Sequence, residues 1–228
     1  LIENRTMKAE IKTAIILGAT GLTGGLLLKK LLADNRYGKI KLFSRSSVGF
    51  THPKLEEHLG DLRNLAQYKK EFYADEVFCC IGTTKAKTPD PEMYRAIDVG
   101  IPVSAAKLCK SNNINTYIVI SALGANPKSS TRYNRLKGEM ENTVLEYAIP
   151  KTHFLRPSLI VGKRSEKRLA EGIASQLMKI LNFVLVGPLD KYKSIKPDAI
   201  VSAMVYLANN QYNEVYIESD QIRKLAEE

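Results

Sequence analysis

The chain has 228 residues, enough for one well-buried α/β domain and short for two. Its hydrophobic content of 44% and charged content of 25% are those of an ordinary globular protein and exclude a disordered or low-complexity chain. The net charge of +10 and pI of about 9.4 favour anionic ligands. The basic residues are scattered, however, and no Lys/Arg run is interleaved with aromatics, so no specific nucleic-acid partner is expected.

In chain order, strand signals alternate with helix signals. An apolar strand over Thr13–Leu17 leads into a helix from Leu22, in which Leu26, Leu27, Leu28, Leu31 and Leu32 fall on helical spacing until Asp34-Asn35 stops it. Strands are then expected over Lys39–Ser44, around Glu57–Gly60 and over Val77–Ile81, followed by a helix near Met93–Asn112. The strand Thr116–Ser121, a helix near Arg132–Tyr147 and the strand His153–Arg156 complete the regular part. This repetition predicts an α/β fold: a doubly wound parallel sheet with helices on both faces and ligands at the carboxyl ends of the strands.

After Pro157 the alternation weakens. Glu166–Asn182 reads as an amphipathic helix, either packed on the domain or serving as a substrate lid or dimer seam. Asp198–Asn209, opened by Pro197, reads as a further helix packing back on the core. One domain over residues 1–228 is expected, with 158–196 as a substrate-side or lid insertion.

The three cysteines, Cys79, Cys80 and Cys109, suit core positions in a reducing compartment and not a disulfide framework. His52, His58 and His153 lie in no metal-ligand spacing, so no metal is expected. No apolar stretch reaches the length of a membrane span, and the N-terminal one is interrupted by glycines. No signal peptide and no membrane partner are therefore expected, with the cytoplasm as the default location.

The loop Gly18-Ala19-Thr20-Gly21-Leu22-Thr23-Gly24 joins the first strand to the first helix through three glycines spaced three apart. Gly18 suits a tight turn, Gly21 a close approach to pyrophosphate, and Gly24 close packing of the helix on the sheet. The helix N-terminus then offers free N–H groups and a positive dipole end to phosphate. Gly18, Thr20, Gly21, Leu22, Thr23 and Gly24 are thus the expected dinucleotide-contacting residues. At the end of the second strand, where an acid would bind the ribose hydroxyls of NAD, the chain has Phe43-Ser44-Arg45-Ser46. Arg45 can pair with an added phosphate, and Ser44 or Ser46 can donate to it, so NADP is favoured over NAD.

Ser121 closes an apolar strand, and Tyr133 and Lys137, four apart on the helix expected after it, share one helix face. Four of the eleven tyrosines have Lys four residues later, but only Tyr133 lies twelve residues after a serine at a strand end. Reducing a carbonyl needs a proton donor near the oxygen, and a free phenol ionises only near pH 10. An ammonium at Lys137 would favour the phenolate of Tyr133, while Ser121 would orient the substrate oxygen.

Together, the glycine loop, Asp61-Leu62, Ser121, Tyr133-x-x-x-Lys137 and Arg156-Pro157 resemble the short-chain dehydrogenase/reductase superfamily in its atypical or extended branch. More narrowly, Cys80-Ile81-Gly82-Thr83-Thr84, Ser121-Ala122-Leu123-Gly124-Ala125 and Lys137-Gly138-Glu139 are similar to the HIV Tat-interacting protein family of NAD(P)-binding oxidoreductase-like proteins. The resemblance implies a Rossmann-type sheet. It also implies that Asp61 and Leu62 contact the adenine, that Gly82 and Thr83 pass the adenosine ribose and phosphates, and that Pro157-Ser158 approach the nicotinamide by backbone. Ser121, Tyr133 and Lys137 are the implied catalytic set, with Lys137 also holding the nicotinamide ribose.

Two functions follow as expectations. One is an NADP-dependent oxidoreductase passing hydride between nicotinamide and a small carbonyl or alcohol, its small-molecule substrate. The other is a cofactor-loaded sensor that presents a surface to a protein partner without turnover, as fold does not fix function. A homodimer is compatible with either. A sugar-nucleotide epimerase is disfavoured by length.

Overall fold

The computed structural model describes residues 11–161 and 187–228. The first strand, β1 (Lys12–Leu17), runs through four consecutive buried residues into Gly18 and then α1 (Leu22–Ala33). Next come β2 (Tyr37–Ser44), β3 (Leu55–Leu59), a 3-10 helix over Leu62–Tyr68 and β4 (Glu76–Cys79). The helix expected near Met93–Asn112 is three pieces: α2 (Pro91–Arg95), a π turn (Ala96–Gly100) and α3 (Ile101–Ser111). Pro102 explains the break, because it has no N–H for the Asp98 carbonyl and its ring crowds that carbonyl. The Ile101 N–H instead reaches back five residues to the Ala96 carbonyl.

β5 (Thr116–Ile120), α4 (Arg132–Leu145) and β6 (Lys151–Arg156) lie where the sequence places them. α5 (Pro197–Asn209) does as well, with Pro197 at its first position. A 3-10 helix over Gly187–Tyr192, a three-residue strand β7 (Tyr216–Glu218) and α6 (Ser219–Leu225) are additional to the expected elements. The expected helix Glu166–Asn182 lies outside the described residues.

All seven strands are parallel, in the order β3-β2-β1-β4-β5-β6-β7. The order reverses direction between β1 and β4, so the crevice beyond their carboxyl ends is the topological switch point of a Rossmann-type sheet. Alternate strand residues build two cores, as the period of two in a strand requires. Ala14, Ile16, Ile40, Leu42, Phe78 and Leu155 pack under α1, α5 and α6. Ile15, Leu17, Phe43, Val77, Tyr117 and Phe154 pack under α3, α4 and the first 3-10 helix. Among the described residues, no helix is long and apolar enough to cross a membrane.

At the opposite, amino end of the strands a buried polar network ties β1, β2 and β4 to α5. Glu76 accepts from the Tyr37 hydroxyl (2.6 Å) and from Lys12 Nζ (2.5 Å), and Asn209 Nδ2 donates to the Tyr37 hydroxyl (2.8 Å). Burial, reinforced by the Glu76 charge, raises the Tyr37 phenol and keeps it a donor.

Candidate functional site

The glycine loop has the geometry of a phosphate cradle. Gly18 holds a left-handed φ of +88°, and a Cβ there would lie 2.8 Å from the Cys80 carbonyl oxygen, so β1 and β4 close together only around glycine. A Cβ on Gly24 would lie 2.2 Å from the Gly18 carbonyl oxygen, which fixes how near α1 approaches the loop. Gly21 is the N-cap of α1 and makes no side-chain cap, and no acid sits in the first turn. The first N–H groups of this helix therefore face the strand ends without an internal acceptor. Thr20 and Gly21 are exposed, Leu22 is half-buried, and Thr23 and Gly24 are buried.

Beyond β2, Ser44 is buried and its hydroxyl donates to the Ser46 carbonyl (2.7 Å), so that proton is already used locally. Arg45 is exposed at the strand end, close enough for its guanidinium to act on the Asp61 carboxylate. Asp61 caps the 3-10 helix, accepting from the Arg63 backbone (3.0 Å). The Arg63 side chain also grips it, with Nε 2.8 Å from Oδ2. These hydrogen bonds, with the charge of Arg63, hold the Asp61 carboxyl at about 2. Leu62 is buried with Phe43, Leu65 and Phe72. Arg63 was not expected from sequence; an arginine two residues after an acid carries no signal.

At the ends of β4 and β5 the expected catalytic residues converge on the same edge. Ser121 is 3% exposed, and its Oγ has no hydrogen-bond partner among the described residues. Lys137 is 3% exposed, and its Nζ lies 3.9 Å from the position a Cβ on Gly82 would take. Its ammonium pairs with Asp98 Oδ1 at 3.0 Å. Burial works against that ammonium most strongly, but the Asp98 carboxylate together with Tyr133 and Cys79 outweighs it, leaving Lys137 above the ordinary lysine range. Tyr133, one turn earlier on α4, is 44% exposed, and its hydroxyl interacts electrostatically with the lysine. Tyr94 also enters the site, donating to the Thr83 carbonyl (3.3 Å), and burial, then the Asp98 charge, push its phenol up to about 12. Asp98 and Tyr94 are site residues that sequence reasoning missed.

Two further glycines shape the rim. Gly124 turns the loop after β5 with a φ of +79°. A Cβ on Gly138 would lie 2.3 Å from the backbone of Asn126 and Pro127, so the glycine after Lys137 lets that loop press against α4. Pro157 is buried at the end of β6, and its carbonyl accepts from the Leu123 N–H (3.0 Å). Cys79 and Cys109 are buried and Cys80 partly so; burial raises all three thiols, which keeps them protonated and unreactive. Among the described residues no group of His, Cys, Asp or Glu could hold a metal ion.

These features fit a dinucleotide: an uncapped helix N-terminus, an open Gly21, an exposed arginine beyond β2 and an unpartnered buried hydroxyl beyond β5. Comparison with known proteins agrees. Residues 18–158 match a family described as NAD(P)H-binding. Protein HTATIP2 of Rattus norvegicus is 32% identical over 171 residues, covering 73% of this chain and 70% of its own. Protein FMP52, mitochondrial, of Debaryomyces hansenii is 29% identical over 206 residues, covering 86% and 88% respectively. Among solved structures, the fold is similar to the Bordetella bronchiseptica enzyme WbmG in complex with NAD. That match has a TM-score of 0.68 and 13% identity, covering 93% of this chain and 73% of the other. It is also similar to a UDP-glucose 4-epimerase of Thermotoga maritima, with a TM-score of 0.67 and 16% identity, covering 94% and 81%.

The comparisons correct one expectation. The fungal relatives are named as mitochondrial proteins, which overturns the cytoplasmic location read from the absence of a targeting or membrane segment. That inference gave weight to a missing signal, which carries little information about compartment. With its glycine loop, switch-point crevice and matched residues 18–158, the chain belongs to the NAD(P)H-binding family and is a relative of HTATIP2 and FMP52.

Proposed function

We propose that this protein is an NADP-dependent oxidoreductase acting on a small carbonyl or alcohol. The observation that carries the proposal is the buried, unpartnered Ser121 hydroxyl on the same strand edge as the buried Lys137 ammonium, beside the glycine cradle. When bound, the nicotinamide supplies or receives the hydride. Ser121 holds the substrate oxygen through the Oγ that has no partner among the described residues. Tyr133 gives its hydroxyl proton to that oxygen in reduction and takes it back in oxidation. The Lys137 ammonium, kept charged by Asp98, stabilises negative charge developing on the Tyr133 oxygen. Arg45, for which no hydrogen bond is seen among the described residues, pairs with the 2′-phosphate; the Ser44 hydroxyl, committed to the Ser46 carbonyl, does not donate to it.

Two substitutions test this. With a panel of small aldehydes and ketones, Tyr133→Phe keeps NADPH affinity and abolishes NADPH oxidation. An unchanged rate removes Tyr133 from the chemistry, and a protein-bound sensor then explains the site better. Arg45→Ala weakens NADPH by about 10- to 100-fold, the worth of a charged hydrogen bond, and leaves NADH nearly unaffected. Equal losses for the two dinucleotides would show that Arg45 does not read the phosphate.

A further inference from the structure

We infer that Arg63 is a specificity-determining residue of the dinucleotide site: it occupies the Asp61 carboxylate and so leaves Arg45 available to the 2′-phosphate. This role rests on the reading of Arg45 as the phosphate-binding residue. The strand register brings the three side chains together. Ser44 lies opposite Leu59 in the pairing of β2 with β3, and the Gly60 N–H donates to the Ser44 carbonyl at 2.9 Å. Arg45 follows Ser44 and Asp61 follows Gly60, so a guanidinium and a carboxylate leave neighbouring strand ends on one edge of the sheet. Arginine and carboxylate groups so placed pair through a two-pronged fork unless something else holds the carboxylate.

Arg63 does hold it. Asp61 Oδ1 accepts from the Arg63 N–H (3.0 Å) and from Arg63 Nε (3.0 Å), while Oδ2 accepts from Nε (2.8 Å) and Nη2 (2.5 Å). Both oxygens are filled, and although the Arg45 charge acts on this carboxylate, no hydrogen bond joins the two among the described residues. Glu57, the other carboxylate that reaches the loop after β2, is also occupied: Ser47 Oγ donates to one oxygen (2.7 Å) and the Val48 N–H to the other (2.9 Å). Arg63 is a neutraliser and not a phosphate ligand, because its three nitrogens are engaged, Nε and Nη2 with Asp61 and Nη1 with Met93 Sδ at 3.3 Å.

A released Asp61 carboxylate would act twice against NADPH, repelling the 2′-phosphate and competing with it for Arg45. NADH has no such phosphate and feels neither effect. The Arg63 and Asp61 side chains are 45% and 36% exposed, and a pair so exposed adds little to folding. Its consequence therefore falls on selectivity.

NADPH and NADH affinities of the full chain are compared by fluorescence titration at low ionic strength, where exposed charges are least screened. Arg63→Ala lowers the preference for NADPH over NADH by about 3- to 10-fold, the effect of one carboxylate charge several ångströms from a phosphate in partly solvated surroundings. Retained NADH binding shows that the variant is folded. Arg63→Ala combined with Asp61→Asn restores the preference, because asparagine still caps the 3-10 helix but carries no charge. Whatever Asp61→Asn does at the adenine falls on both dinucleotides alike. A preference unchanged by Arg63→Ala yet reduced by Arg45→Ala overturns the role of Arg63 and leaves that of Arg45 standing. A preference that falls in Arg63→Ala and stays low in the double variant also overturns it, since Arg63 would then touch the phosphate itself. If Arg45→Ala leaves the preference unchanged, the reading of Arg45 fails and the role of Arg63 fails with it.

Discussion

Alanine at Gly24 is expected to break the cradle, whereas alanine at the adjacent Gly25 is expected to leave it intact. A Cβ on Gly24 would sit 2.2 Å from the Gly18 carbonyl oxygen, 2.7 Å from its carbon and 3.1 Å from Ala19 Cα. All three are backbone atoms of the phosphate loop, so restoring ordinary contact moves loop and helix apart by roughly 1 Å. Overpacking of this kind costs about 1–3 kcal/mol, and the contact on Gly18 argues for the upper end. Better helix propensity offsets about 1 kcal/mol of that, leaving a net loss of about 2 kcal/mol. For a chain of this size, that lowers Tm by roughly 4–8 °C. At Gly25 the Cβ would meet only the Ala19 carbonyl oxygen, at 3.2 Å, so a small strain and the propensity gain nearly cancel. Thermal melting and NADPH fluorescence titration check both variants: Gly24→Ala melts lower and loses NADPH affinity at least tenfold, while Gly25→Ala stays close to wild type. A Gly24→Ala protein that melts and binds like wild type would refute the close-approach argument.

Other outcomes follow from residues away from the cradle. Glu76→Ala removes the acceptor of the fully buried Tyr37 hydroxyl and the partner of Lys12, and is expected to lower the unfolding free energy in urea by about 2 kcal/mol. An unchanged urea midpoint would show that the network at the amino end of the sheet is not stabilising. His153 is buried, its Nδ1 is 2.7 Å from the Glu214 carbonyl oxygen, and its Nε2 has no partner among the described residues. Burial lowers its proton affinity in the fold. A histidine lowered in the folded state contributes stability that is fully present above its unfolded value, near 6.5, and lost as pH falls through that value towards the folded one. Melting measured from neutral to mildly acidic pH therefore declines more steeply for wild type than for His153→Gln. Parallel curves would show that His153 does not titrate differently on unfolding.

The strands were legible because their apolar runs are short, continuous and bounded by glycine, proline or polar residues. Fully buried parallel strands have that character, and the apolar parts of β1, β4 and β5 follow it, whereas β2 interleaves lysines with its buried residues and β6 carries only Phe154 and Leu155 as its apolar pair. β7 was not legible: in three residues it buries only Ile217 fully, too little for any period to register. The break between α2 and α3 was also missed, although Pro102 stands in the sequence. A proline near a helix start is ordinary, and only the pairing of Ile101 N–H with the Ala96 carbonyl distinguishes a π turn from two helices.

The sequence by itself determined the order of the elements, the parallel sheet and the glycine loop, because each depends on local backbone freedom and on hydrophobic period. It also put Ser121 just past the end of β5 and Tyr133 one turn before Lys137 on α4, since a strand end and a helical period fix those positions. Tertiary structure alone decided which groups meet. Asp98 lies far from Lys137 in the chain, within an unremarkable helical stretch, and becomes its partner only when α4 and the π turn pack over the same sheet edge. Glu76 likewise meets Tyr37 and Lys12, far from it in the chain, only where β1, β2 and β4 lie side by side. Sequence supplies the charges and hydroxyls, but their partners are set by distances of a few ångströms that packing alone fixes.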